Sequence, residues 1–187
     1  MKAGTRAVGV AESARESRSY LAGAVVRASR VVDDVGFSQC TVGGSDATSA
    51  VCALVDRLGR ADVQYLLVAG IAPAWFNLLD LHAIAEGTGL PTISVSFEAS
   101  PGLEPAIRDA FDDPGTVADR LATYRALPDR RELTVNGETV FYRAVGIDAD
   151  EAVDVLRAFT PEGGRPEPLL VARLAARGYA DAADRRP

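Results

Sequence analysis

The order in which the apolar period changes along this chain restricts it to few folds. Three strand-like runs come first: Arg6–Ala11 (RAVGVA), Tyr20–Ala28 (YLAGAVVRA) and Val31–Val42, the last interrupted at Gly36. The second and third meet around Ser29-Arg30, which reads as a hairpin turn. At Asp46 the period switches from two to that of a helix. Ala50, Val51, Leu54, Val55 and Leu58 fall on one face, with Ser45 or Asp46 to cap the start and Gly59 the end. Val63–Val68 then predicts a buried strand, Asn77–Glu86 a helix, and Leu90–Phe97 a strand with Pro91 at its start, where a missing N–H is tolerated.

Helices are expected over Pro105–Phe111 and Gly115–Leu127. Arg131–Val135 and Thr139–Val145 flank Asn136-Gly137, two residues that tolerate positive φ and mark a tight hairpin. Asp148–Phe159 and Leu169–Arg177 read as helices separated by the break Gly163–Pro168 (GGRPEP). The sum is an α/β chain with three antiparallel strands, then βαβ crossovers, then a C-terminal hairpin and helices. That is the order of an RNase H-like mixed sheet, whereas a doubly wound fold would alternate strand and helix from the start. With 187 residues the chain suits one domain, expected over 1–180, with residues 181–187 (DAADRRP) as a flexible tail.

No apolar run approaches the roughly 20 residues of a membrane helix, and the first residues (MKAGTRAVGV) lack signal-peptide features, so a cytoplasmic location is expected. Cys40 and Cys52 make no metal-type pair and read as buried small hydrophobes. The single histidine, His82, has no His or Cys partner nearby and reads as structural. No Walker loop, dinucleotide fingerprint or G-x-S-x-G elbow occurs. The net charge of −6 opposes nucleic acid at long range, so any such partner requires a local arginine cluster or screening by salt. Nineteen of the twenty basic residues are arginine, the side chain suited to bidentate phosphate contacts. Arg130, Arg131 and Arg143 are candidates, although nothing in the sequence brings them to a common site.

The stretch Leu67–Asn77 (LVAGIAPAWFN) looks like the mouth of an α/β site, a strand entering a Gly-containing loop. Yet it ends in Ala69, which can neither hold a metal nor move a proton. A nuclease of this fold needs carboxylates at the sheet centre to hold one or two Mg²⁺. The first strand offers Ala11 at the ligand position and Glu12 beside it, on the opposite face of a regular strand. Asp46 reads as an N-cap or a metal ligand, Asp80 as a helix-dipole partner or a ligand, and Asp33-Asp34 as a turn pair. Trp75 and Phe76 are either plugs of the core or a surface on which an unpaired base stacks. Asn77 can cap the following helix while pointing to the sheet's carboxyl edge.

Four segments, AVGVAES, TVGGSDATSAV, LLVAGIAPAWFNLLDLHAIAEGTGLPTISVS and VGIDADEAVDVLRAFTPEGGRPEPLLVARLAA, resemble the archaeal endonuclease dU family, which is related in fold to endonuclease V. The resemblance implies an RNase H-like DNA-repair endonuclease, with Mg²⁺ or Mn²⁺ assisting hydrolysis of DNA that carries deoxyuridine. The family pattern has carboxylates where this chain has Ala11 and Ala69, while Glu12 stays acidic and Asp46 stands in the family's D-A-T. Two functions follow: a nuclease using Glu12, Asp46 and Asp80 as a shifted metal cluster, with Glu12 and Asp46 catalytic, or an inactive relative. The relative would bind nucleic acid or a protein partner through the rim formed by Trp75, Phe76 and Asn77.

Overall fold

The computed structural model describes residues 1–185. Strand β1 (Arg6–Ala14) pairs antiparallel with β2 (Arg18–Arg27), and β2 pairs antiparallel with β3 (Val32–Thr41), which makes a meander. On its other edge β1 pairs parallel with β4 (Val63–Ala69), and β4 pairs parallel with β5 (Thr92–Ser96). Parallel neighbours need crossovers. Helix α1 (Ala47–Leu58) carries the chain from β3 to β4, and the short α2 (Pro73–Phe76) with α3 (Leu81–Thr88) carries it on to β5. Helices α4 (Glu104–Ala110) and α5 (Pro114–Ala126) precede the hairpin of β6 (Arg131–Val135) and β7 (Glu138–Val145). Its turn is the expected Asn136-Gly137, both at positive φ, and β7 pairs antiparallel with β5. Helices α6 (Ala149–Ala158) and α7 (Glu167–Asp184) follow. The strand order β3-β2-β1-β4-β5-β7-β6 is the RNase H-like arrangement expected from the sequence.

Alternation along the strands sorts two cores. Val8, Val10, Leu66 and Val68 pack against Val51 and Leu54 of α1 and Leu81 and Ile84 of α3. Ala7, Leu67, Ile93 and Val95 face the other way, onto Val155 and Leu156 of α6 and Leu169 of α7, while Ala11 meets Ala172 of α7. Burial of each valine, leucine or isoleucine among them contributes about 1.5–3 kcal/mol, which fixes strand register because a one-residue slip would exchange the faces.

Gly36 does not interrupt β3. It pairs with Gly23 of β2, and a Cβ on Gly36 would stand 2.9 Å from Leu58 Cδ2, so the bare backbone is the surface on which α1 lies. Gly9 serves α7 in the same way, since its Cβ would fall 2.3 Å from the carbonyl carbon of Pro168. The expected helix Leu169–Arg177 extends to Asp184. Arg15 holds Asp181 and Asp184 at 2.6 Å each, and Tyr179 stacks on Phe37 with ring centroids 4.6 Å apart. Residues 181–184 are therefore helical, and the last part of the expected tail, Arg186 and Pro187, lies outside the described residues. Among these, no helix is long and apolar enough to cross a membrane.

Asp33 is not a turn residue. It lies on β3 at the opposite edge from the C-terminal ends of β4 and β5, where Arg6 and Arg27 each approach it to 2.6 Å and Arg60 pairs with the adjacent Asp62 at 2.8 Å. Hydrogen bonds from Arg27 and Arg6 hold its carboxyl well below the usual carboxylate range. A group with a depressed folded-state pKa stabilises above its unfolded pKa of about 3.9 and loses that contribution as pH falls. Acid titration of unfolding is therefore expected to show stability declining below about pH 5, with Asp33→Asn flattening that decline. Gly9→Ala is expected to lower unfolding free energy in urea by about 1–3 kcal/mol, through the clash with Pro168.

Candidate nucleic-acid cleft

The chain leaves β3 for α1 across a junction held by one buried amide. Asp46 occupies the N-cap position of α1, yet its carboxylate makes no cap hydrogen bond to the helix. It turns back to β3 and accepts from Thr41 N at 3.0 Å and Thr41 Oγ1 at 2.9 Å. The N–H of Ala47 at the start of α1 donates instead to Asn77 Oδ1, at 2.9 Å. Asn77 Nδ2 donates to Asp46 Oδ1 at 2.7 Å and to the Thr41 carbonyl at 2.8 Å. Asn77 is fully buried, and its amide is committed to the fold. Burial pushes Asp46 up, but the hydrogen bonds from Thr41 and Asn77 outweigh it and hold the carboxyl below its ordinary range.

The rim that follows β4 has an unusual backbone. Ala74, Trp75 and Phe76 all lie in the left-handed region, at φ 49°, 57° and 56°. For residues other than glycine, each such position costs about 1–3 kcal/mol and persists only where the surroundings enforce it. Glu12 is part of that enforcement: one carboxylate oxygen accepts from Ala74 N at 3.1 Å, and the other accepts from the hydroxyl of fully buried Ser19. Gly43 N donates to the Ala74 carbonyl at 2.7 Å, and Arg120 Nε donates to the Phe76 carbonyl at 3.1 Å. Of the two aromatics, one is a core plug and the other is not. Phe76 packs among Leu78, Ile107 and Leu121, whereas Trp75 is 60% exposed.

The same geometry tests whether a divalent metal fits. Ala11 faces Ala24, Val26 and Ala172, with Ala69 against the same cluster, so the two positions where carboxylates were expected share an apolar face. Glu12 points to the other face, as strand alternation requires. Glu12 and Asp46 do share a neighbourhood: both flank Cys40, whose thiol is pushed up to about 12, first by burial and then by these two carboxylates. Asp80 is spent as the N-cap of α3, accepting from His82 N and Ala83 N at 3.0 Å each, which is why that helix begins at Leu81 rather than Asn77. His82 is exposed and Cys52 half-buried. Among the described residues, no group of three or more His, Cys, Asp or Glu could hold a metal ion. The hollow between the ends of β1 and β4 has a volume of about 10 Å³, room for about one water. A hard cation needs several anionic oxygens in compensation for its dehydration. These side chains do not fit one.

What the carboxyl edge of the sheet does hold is arginine. Two hollows of about 270 and 630 Å³ meet at Gly70, Ser96 and Glu98, beyond the ends of β4 and β5. Arg165 and Arg173 line the smaller, and Arg130 and Arg143 the larger. Among the described residues none of the four forms an ion pair, and Glu98, the one carboxylate lining either hollow, is exposed. Arg130 lies over Phe141 and Arg165 over Phe97, each 4.0 Å from the ring centroid. Burial first, and then the neighbouring charge of Arg143, lowers the Arg130 pKa. Arg165 and Arg173 carried no signal in the sequence, because only the packing of α7 across β1 brings them to the end of β4.

The fold is an endonuclease V-like scaffold, and comparison with known proteins gives the family. A family model for endonuclease dU matches residues 3–180, and the chain belongs to that family. A UPF0215 protein of Pyrobaculum calidifontis is 32% identical over 170 residues, covering 90% of this chain and 92% of its own length. A crystal structure of a protein of unknown function from Archaeoglobus fulgidus superposes with a TM-score of 0.82 at 20% identity, covering 94% of this chain and 98% of that one. Endonuclease V of Ciona intestinalis, crystallised with a 24mer DNA containing an inosine, gives 0.63 at 12% identity over 96% and 87% of the two chains.

Trp75 is the single tryptophan, so its fluorescence reports on the rim alone. Glu12→Ala is expected to lower Trp75 anisotropy and increase iodide quenching, because Ala74 N and Ser19 lose their shared acceptor. Asn77→Ala is expected to lower unfolding free energy by about 1–3 kcal/mol in urea denaturation, through the polar groups it leaves unpaired.

Proposed function

We propose that this chain is a DNA-binding member of the endonuclease dU family that recognises deoxyuridine-containing DNA in the cleft beyond β4 and β5, without metal-assisted cutting through the usual carboxylates. One observation carries the reading: four arginines without carboxylate partners converge on that cleft in a chain of net charge −6. Such a cluster attracts phosphates locally where the molecule as a whole repels them. Trp75, exposed in the loop after β4 and beside Gly43, would offer a stacking surface for an unpaired base, which typically contributes about 1–3 kcal/mol. Family membership supports DNA with deoxyuridine as the ligand class, and the endonuclease V neighbour, bound to inosine-containing DNA, supports DNA alone.

A second reading keeps the nuclease. Family membership favours it, and it requires Glu12 and Asp46 to leave their present hydrogen bonds and gather around Mg²⁺ or Mn²⁺. One experiment separates the two. Labelled DNA with a single deoxyuridine is incubated with the protein and Mg²⁺ or Mn²⁺ across a salt series, with binding and cutting both measured. The expected outcome is binding that weakens as salt rises, with no cutting, and Trp75→Ala weakening that binding by about 1–3 kcal/mol. Metal-dependent cutting that vanishes in both Glu12→Ala and Asp46→Ala would establish the second reading instead.

A further inference from the structure

We propose that the hollow at the end of β4 is a phosphate site in which Arg165 and Arg173 supply the positive charge that a metal ion supplies in a carboxylate-lined nuclease site. The inference rests on the DNA-binding reading above and names what holds the backbone. A site built from aspartates is negative until its metal binds, so a phosphodiester approaches only with the cation in place. Here Ala69 lines the hollow, and Ala11 lies in the apolar cluster beneath it, so that repulsion is gone.

The hollow is instead flanked by two guanidiniums. Arg165 comes from the loop before α7 and Arg173 from the second turn of that helix. Among the described residues neither makes a hydrogen bond or an ion pair, so both are free to donate. The Arg165 guanidinium carbon sits over the Phe97 ring, 4.0 Å from its centroid, and a guanidinium held against a ring has fewer orientations open to it. That limits the conformational freedom lost when it grips an oxyanion. Ser96 adds a hydroxyl on the shared wall, and the exposed Glu98 is the one opposing charge. The occupant that fits two unpaired guanidiniums over a floor without carboxylates is a phosphate oxyanion, and in this cleft a backbone phosphodiester. Binding at this site is then independent of divalent metal.

The test compares DNA affinity in EDTA and in Mg²⁺ across a salt series, for the parent, Arg165→Gln/Arg173→Gln and Ala69→Asp, with inorganic pyrophosphate as a second probe read by thermal shift. Equal affinity of the parent in EDTA and Mg²⁺ is expected. The double arginine variant should flatten the dependence of log affinity on log salt by about 1 to 2, since each neutralised phosphate contributes about 0.7–0.9 to that slope. Ala69→Asp should weaken binding in EDTA by restoring a negative floor. Pyrophosphate should raise the melting temperature of the parent and not of the double variant. DNA binding with an unchanged slope in the double variant, or parental binding that requires Mg²⁺, overturns the phosphate site and leaves the DNA reading standing. Failure of the parent to bind DNA, with arginine-dependent protection by pyrophosphate, overturns the DNA reading and keeps the phosphate site for a free phosphate compound.

Discussion

The buried amide of Asn77 is the interaction on which the rest of the cleft depends. Its oxygen takes the first N–H of α1, and its nitrogen reaches both the end of β3 and the carboxylate of Asp46. Three segments far apart in sequence are thereby closed around one side chain. A buried amide without such partners would cost about 1–3 kcal/mol per group, so the arrangement is held in whole or not at all. The left-handed turn of Ala74–Phe76 directly precedes it and borrows its rigidity. Glu12 then fastens that turn to β1, accepting from Ala74 N.

Arginine does two jobs in this molecule, and the difference lies in its neighbours. On the β3 side, Arg6, Arg27 and Arg60 are matched to Asp33 and Asp62, and the charges cancel over short distances. At the carboxyl edge Arg130, Arg143, Arg165 and Arg173 face hollows with one exposed carboxylate among them. Carboxylate partners cancel charge, whereas Arg130 and Arg143 donate to the Ser96 hydroxyl and to the carbonyls of Glu98, Ser100 and Pro128 and so keep theirs. An acidic protein can thus carry a local cationic surface, because the interaction that matters for a ligand falls off within about 10 Å at 0.1 M salt.

Much of this was legible in the sequence, and the limits have physical causes. Periods of two and 3.6 gave away the meander, the crossovers and the Asn136-Gly137 hairpin, because each depends on residues adjacent in sequence. Alternation also foretold that Glu12 and Ala11 would face opposite ways. The left-handed run at Ala74–Phe76 was invisible, since no glycine marks it and its enforcement comes from Glu12, Gly43 and Arg120. Asp46 read as an N-cap, and the partner that displaced it, Asn77, lies 30 residues from the helix start it serves. Gly36 read as a break because its reason, the side chains of α1, is a tertiary one. Arg165 and Arg173 gave no signal because their place is set by how α7 lies across the sheet.

That helix also has a consequence for assembly. Pro168 sits on Gly9, and Arg15 reaches Asp184 across 169 positions of chain. In a polypeptide made from β1 onward, the part of the sheet face carrying Gly9 and Ala11 stays bare until α7 has been synthesised. Contacts of such long separation form late and slowly, and an uncovered apolar face in the interval is open to aggregation. The strip of alanine and glycine along β1 softens that exposure, since small side chains leave less apolar surface uncovered than valine or leucine would. The residues that let the last helix come so close are the same ones that let the nascent sheet wait for it.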